Sequence, residues 1–216
     1  YGIHPLYVQE TAKDDLTTLA ARVQSDRPIA IGEIGLDRFA GSPDLKVQRS
    51  WFEDQLALAI ECGLPVILHV RHAVEDVIQS LKRIQGRSKK IPGGIAHAFN
   101  GSFQQAEQFI ELGFKLGFGG AATYERALQI RRLIRELPLE SIVTETDAPD
   151  IPPVWLKEEN LAFNEPAFLP RIAKELAAIR GVNDSEFASA VWRNAIQVLP
   201  RWSALCADNP NLNSAS

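Results

Sequence analysis

Four side chains in this 216-residue sequence, Glu33, His69, His97 and Asp147, are of types that hold divalent metal ions. Each falls at or near the carboxyl end of a different apolar run: Pro28-Ile-Ala-Ile-Gly-Glu-Ile-Gly, Pro65-Val-Ile-Leu-His-Val, Gly94-Ile-Ala-His and Ser141-Ile-Val-Thr-Glu-Thr-Asp. Singly, each has an ordinary structural reading, a hydrogen-bonded core histidine or an aspartate at a turn. Together, two carboxylates and two imidazoles buried at one end of a sheet would be costly without a cation. A mixed imidazole and carboxylate set suits Zn²⁺, Mn²⁺ or a similar ion and lacks the thiolates of structural zinc sites. Such ions lower the pKa of a water and neutralise charge on a phosphoryl or carbonyl oxygen, and a pair about 3.5–4 Å apart suits in-line phosphodiester hydrolysis.

The elements that must position these residues follow from the hydrophobic pattern. Short apolar runs alternate with amphipathic stretches, as in βα repetition. A helix is expected around Asp14 to Val23, before the first strand, Pro28 to Gly35. The next helix is expected to have Ser42 as N-cap, Pro43 as first residue and Gly63 as its stop. The pattern repeats with strand Pro65–Val70 and a helix carrying Val74, Val77, Ile78, Leu81 and Ile84. Strand Gly94–His97 then leads to a helix from near Ser102 to Gly113, and strand Phe114–Phe118 to a helix from about Thr123. Ser141–Asp147 is the last strand, followed by a Pro-rich loop. Two helices close the pattern, one from about Pro166 to Arg180 and one capped by Asn183 and running to about Leu199. Apolar residues at successive strand positions predict a parallel sheet covered on both faces.

Composition narrows the class. With 23 Lys+Arg against 27 Asp+Glu, the net charge of −4 excludes a broad positive field for nucleic acid, so any such contact must be local. Two basic clusters, Lys82, Arg83, Arg87, Lys89 and Lys90, then Arg126, Arg131, Arg132 and Arg135, read first as solvated helix faces. Cys62 and Cys206 lie far apart and are expected to be ordinary thiols. No run approaches the ~18–20 apolar residues of a membrane helix. The first residues lack signal-peptide regions, so a cytoplasmic protein is expected, with no membrane and no obligate protein partner.

At the candidate ligands the sequence resembles the TatD family of metal-dependent deoxyribonucleases, within the amidohydrolase-like hydrolases. Gly2-Ile-His-Pro5 is similar to the family's G-x-H-P, Gly32-Glu-Ile-Gly-Leu-Asp37 to its G-E-x-G-L-D, and His69-Val-Arg71 to its H-x-R. His97-Ala-Phe-Asn-Gly101 is similar to H-C-F-S-G, Glu145-Thr-Asp-Ala-Pro149 to E-T-D-x-P, and Asn164-Glu-Pro166 to N-E-P. Several ordered motifs make the signal specific. The resemblance implies a TIM (β/α)8 barrel, with DNA, as single strands or ends, for substrate. It implies two divalent ions, Zn, Mn or Mg, with Glu33 bridging them, His69 and His97 on one, and Asp147 on the other, orienting or deprotonating the attacking water. His4, Asp37 and Arg71 would be outer or substrate-contacting groups, Arg71 meeting a phosphate oxygen. His72 is expected at the surface.

The family's first-strand H-x-H has no counterpart in this sequence, and five of the barrel's eight strands are visible. The expectation is one barrel-type domain over residues 1–207, incomplete at its N-terminus, with a flexible tail over 208–216. Weak activity of this chain and an exposed strand edge near Pro28 to Ile34 follow as further expectations. Ala98, Asn100, Gly117 and Asp150 depart from the family's usual residues and bear on substrate preference. Two other readings compete. One is hydrolysis of a cyclic amide, ester or lactone, which the absence of a strand-end lysine argues against. The other is an inactive remnant or interaction protein.

Overall fold

A computed structural model describes residues 1–86 and 90–207 of the chain. Arg87 and Lys89 of the first basic cluster, and the 208–216 tail, lie outside the described residues, as does the Cys206 side chain. After helix α1 (Asp14–Asp26), strands β1 (Ile31–Asp37), β2 (Val66–Arg71), β3 (Gly94–Ala96), β4 (Phe114–Phe118) and β5 (Ile142–Thr144) form one sheet in sequential order. Every pairing is parallel. Helices α2 (Leu45–Cys62), α3 (Val74–Gln85), α4 (Phe103–Glu111) and α5 (Leu128–Glu136) make the crossovers between these strands. Beyond β5 come α6 (Trp155–Glu158), α7 (Leu169–Arg180), α8 (Asp184–Val198) and α9 (Pro200–Ala207).

The core lies between the sheet and its helices. Ile34, Leu36, Leu68, Ala96, Leu116 and Ile142 are fully buried there against Phe52, Leu56, Ile78 and Phe109. The opposite face is different. Ile67, His69, Ile95 and Lys115, at alternate positions, are only half-buried, which corrects the expectation of a sheet covered equally on both faces. That half-open face carries the polar residues.

Local signals explain most boundaries and also where they move. Helix α2 starts at Leu45, not Pro43, because Asp44 caps it, accepting from the N–H groups of Lys46 and Val47. The Ser42 hydroxyl is turned instead toward Asp37, donating to Oδ1 at 2.8 Å. Gly63 ends α2 in the left-handed conformation and Gly181 ends α7 likewise. Ser102 and Gln105 form a reciprocal capping box on α4. Asn183 caps α8 through the Ser185 N–H. The helix expected from Thr123 begins only at Leu128, because Thr123 Oγ1 donates to Gly120 O and accepts from Val154 N–H, closing a 3-10 turn over Gly120–Thr123. Helices α6 and α9 lie where the sequence suggested a loop and a helix end.

The β1 edge is not bare. Gly32 N–H donates to Tyr1 O at 2.8 Å, so the segment leading to His4 covers part of the Pro28 to Ile34 edge. Part of each basic cluster is engaged. Arg83 meets Glu53, Arg132 pairs with Glu136 on α5, and Arg131 donates to Ala122 O. Cys62 is a free thiol of intermediate burial. No helix among the described residues is long and apolar enough to cross a membrane.

Candidate metal centre

The sheet delivers the four candidate residues to one end. Glu33 and Asp37 come from β1, His69 from β2, His97 from the residue after β3, and Asp147 from the loop after β5. In a parallel sheet the carboxyl ends of the strands are where sites form. Two local features aim the side chains. Between Ile31 and Ile34 the β1–β2 register slips: Ile31 pairs with Val66 and Ile34 with Leu68. This bulge lets both isoleucines enter the core and turns the intervening Glu33 to the open face. Gly35, at φ 148°, then brings β1 so close to β2 that a Cβ would collide with the His69 carbonyl oxygen.

Glu33 is the hub. Its Oε2 lies 3.0 Å from His97 Nε2, 3.6 Å from His69 Nδ1 and 3.7 Å from His4 Nε2. The His69 and His97 rings beside it hold its carboxyl far below the usual range. His97 Nδ1 in turn lies 3.6 Å from Asp147 Oδ1. Among the described residues two ligand groups therefore form, His4–Glu33–His69 and Glu33–His97–Asp147, with ligand atoms in each within 4.8 Å of one another. Glu33 belongs to both, as a bridge between two ions requires. His97 thus stands beside Asp147, and its ring centroid is also 5.6 Å from that of His69, with both rings facing Glu33 Oε2.

The hydrogen bonds fix which nitrogens face the centre. Asp37, fully buried, accepts from Phe39 N–H at 2.7 Å and Ser42 at 2.8 Å through Oδ1, and its Oδ2 lies 2.9 Å from His69 Nε2. Burial opposes its charge, but these donors outweigh burial and hold its carboxyl below the usual range. As a carboxylate it accepts a hydrogen bond from His69 Nε2–H, which turns the Nδ1 lone pair toward the centre. His4 Nδ1 accepts from Leu6 N–H at 3.3 Å, leaving the proton on Nε2, which donates to His69 Nδ1 at 3.1 Å. His4 thus enters the first group geometrically but faces it as a donor. Burial and the neighbouring His69 lower its pKa and favour this neutral form.

His97 carries the opposite charge state. Burial works against its proton, but the Glu33 hydrogen bond and the fields of Glu145, Glu33 and Asp147 raise its pKa to about 9. Loss of solvent, opposed by His97, raises that of Asp147. Asp147 sits at φ 53°, a left-handed geometry that aspartate tolerates. Asn164, buried, donates to Thr146 O at 2.8 Å and Asp150 O at 2.6 Å and so fastens the loop around Asp147. Arg71 is exposed, its guanidinium 3.7 Å over the Phe39 ring, and His72 stacks on the same ring at the surface, as expected for it.

Glu145 had no role in the sequence reading. It accepts from Ala98 N–H at 2.6 Å, packs against Gly117, and burial pushes its pKa up to about 7. The available signal was its place in the Glu145-Thr-Asp147 run, two residues before a candidate ligand at a strand end.

The donor chemistry fits divalent ions: carboxylate and imidazole side chains in each group, one shared carboxylate, and a second carboxylate orienting a ligand histidine. Comparison with known proteins gives the same direction. The sequence model of the TatD related DNase family matches residues 1–200. An uncharacterized metal-dependent hydrolase of Haemophilus influenzae is 38% identical over 205 residues, 91% of this chain and 75% of that protein. The 3'-5' ssDNA/RNA exonuclease TatD of Erwinia tasmaniensis is 35% identical, over 90% of this chain and 74% of its own length. The crystal structure of YjjV, a TatD homologue from Escherichia coli K12, superposes with a TM-score of 0.83 at 35% identity, covering 92% of this chain and 75% of that one.

Proposed function

Because this chain belongs to the TatD related DNase family of metal-dependent hydrolases, with its TIM-barrel fold, we propose that it hydrolyses phosphodiester bonds of DNA, at ends or in single strands. The observation that carries the reading is the Glu33 carboxylate shared by two ligand groups. Glu33, His69, His97 and Asp147 would hold two divalent ions of the Zn, Mn or Mg type. These would neutralise charge developing on a phosphoryl oxygen and make a water more acidic.

The chain's own residues do the rest. Asp37 keeps the His69 ring in one orientation and its Nδ1 unprotonated. Asp147, beside His97, is placed to orient the attacking water and accept its proton at a carboxylate oxygen. His4, with its Nε2 proton facing the centre, is placed to donate to a substrate oxygen, and the exposed guanidinium of Arg71 to meet a phosphate. Single strands or ends are favoured because half-buried side chains at a sheet end reach an unpaired strand more readily than a smooth duplex.

Nothing in the site favours the amide or lactone reading. Lys115, on the strand β4, donates to Glu140 O and Gln197 at the other end of the sheet, away from the ligand groups. The test is hydrolysis of end-labelled single-stranded DNA by the full-length protein with Mn²⁺, Zn²⁺ or Mg²⁺. Asp147→Asn is expected to abolish metal-dependent cleavage, and retained turnover would remove Asp147 from the chemistry.

A further inference from the structure

A groove leaves the centre on the side of Asp147. Its inner end, a cavity of about 130 Å³, is bounded by Ala98, Gly117, Gly119, Glu145 and Asp147. It opens outward past Asn100, Ala121, Ile130 and Ile151, which line both parts, into a wider cleft of about 640 Å³. Tyr124, Arg126 and Pro152 form the outer end. The outer cleft lies within the range of small-molecule sites, ~300–1,000 Å³, and the inner cavity falls below it.

The outer end presents a ring, a positive charge and an apolar wall. Tyr124 is anchored, its hydroxyl donating to Pro152 O at 3.1 Å, so the ring keeps its orientation against the cleft. The Arg126 guanidinium lies 5.4 Å from the centre of that ring, is exposed, and pairs with no carboxylate among the described residues. In a protein of net charge −4, Arg126 combines a lack of acidic partner with a place beside an aromatic ring, whereas on α5 Arg132 is held by Glu136 and Arg131 by Ala122 O. Stacking on an aromatic side chain is available to every base, and a neighbouring guanidinium adds attraction for phosphate. A free phosphate or carboxylate would use Arg126 and leave the ring and the wall of Ile130, Ile151 and Pro152 without a function.

We infer that this groove seats the nucleotide next to the scissile phosphodiester, its base on Tyr124 and its outer phosphate at Arg126, while the reacting phosphate lies by Asp147. The inference rests on the nuclease reading above and assigns to it the path of the strand. It places the strand on the β3–β5 side of the centre. Tyr124 and Arg126 are positioning residues in this scheme, since neither lies among the ligand groups.

The test compares two substrates in the full-length, Mn²⁺-loaded protein: methyl p-nitrophenyl phosphate, a phosphodiester with no nucleotide to seat in the groove, and a single-stranded oligothymidylate of about eight nucleotides. Binding of the same oligonucleotide, fluorescently labelled, is followed by anisotropy without metal. Tyr124→Ala and Arg126→Ala are each expected to raise KM and weaken oligonucleotide binding by roughly 5- to 50-fold, the range of one base stack or one charge-assisted contact. Both should leave hydrolysis of the short ester within about twofold, and Tyr124→Phe, which keeps the ring and loses its anchor, should fall between the parent and Tyr124→Ala. Equal losses on both substrates would mean a structural role and overturn the inference. Unchanged oligonucleotide kinetics and binding would overturn it while leaving the nuclease reading intact. A parent protein that cleaves neither phosphodiester would overturn both.

Discussion

The residue with most consequence is His97, because one imidazole answers to two carboxylates and, in the proposed site, to an ion. Its pKa, raised from 6.5 to about 9, gives a sign that can be checked. A raised pKa means that the folded protein holds the proton more tightly than the unfolded chain. The stabilisation is fully present below about 6.5 and is lost as pH rises through about 9. Thermal unfolding of the metal-free protein should therefore occur at lower temperature as pH climbs across that window, and His97→Gln should flatten this part of the profile. An ion needs the neutral imidazole, so metal affinity should rise over the same window and level off above it. A pH-independent affinity would show that His97 is already neutral. Asp37 acts one step further out. Asp37→Asn is expected to weaken metal binding by about 10- to 100-fold in equilibrium dialysis, since His69 loses the group that holds its Nε2 proton.

At the scale of elements, the start of α2 shows how a site reshapes its surroundings. Ser-Pro is a good helix opening, yet the buried Asp37 takes the Ser42 hydroxyl and Asp44 caps the helix instead. Asp44→Ala should cost about 1 kcal/mol, lowering the unfolding temperature by ~2–4 °C in a chain of this size, with metal affinity unchanged. Ser42→Ala should instead lower metal affinity through Asp37, and the opposite pattern would restore Ser42 as the cap. The β1 bulge is the counterpart in a strand. Strict alternation would set Ile31 and Ile34 on opposite faces, and the register slip puts both in the core.

For the whole molecule, a net charge of −4 sets how any nucleic acid can be held. Most basic side chains near the sheet's carboxyl end pair with acids, as Arg38 and Arg49 do with Asp76. Arg71 and Arg126 lie over aromatic rings and have no such partner among the described residues. About two phosphate contacts should give a shallow salt dependence, with log affinity for single-stranded DNA falling against log salt with a slope near −1 to −2. A much steeper slope would require a basic surface that lies elsewhere.

Periodicity and punctuation in the sequence determined the order of five strands and their crossover helices, since buried parallel strands and amphipathic helices each carry their own repeat, and Gly63, Ser102, Asn183 and Gly181 mark ends by local chemistry alone. The identity of the four candidate ligands was also legible, because imidazoles and carboxylates at strand ends conflict with an apolar core. Which of them meet was not. The grouping of His97 with Asp147, the donor role of His4 and the hold of Glu145 on Ala98 depend on a register slip in β1 and on hydrogen bonds between residues 32 to 65 positions apart. Such contacts leave no trace in local pattern. They arise only when the sheet closes its strands side by side and each buried polar atom must find a partner across the chain.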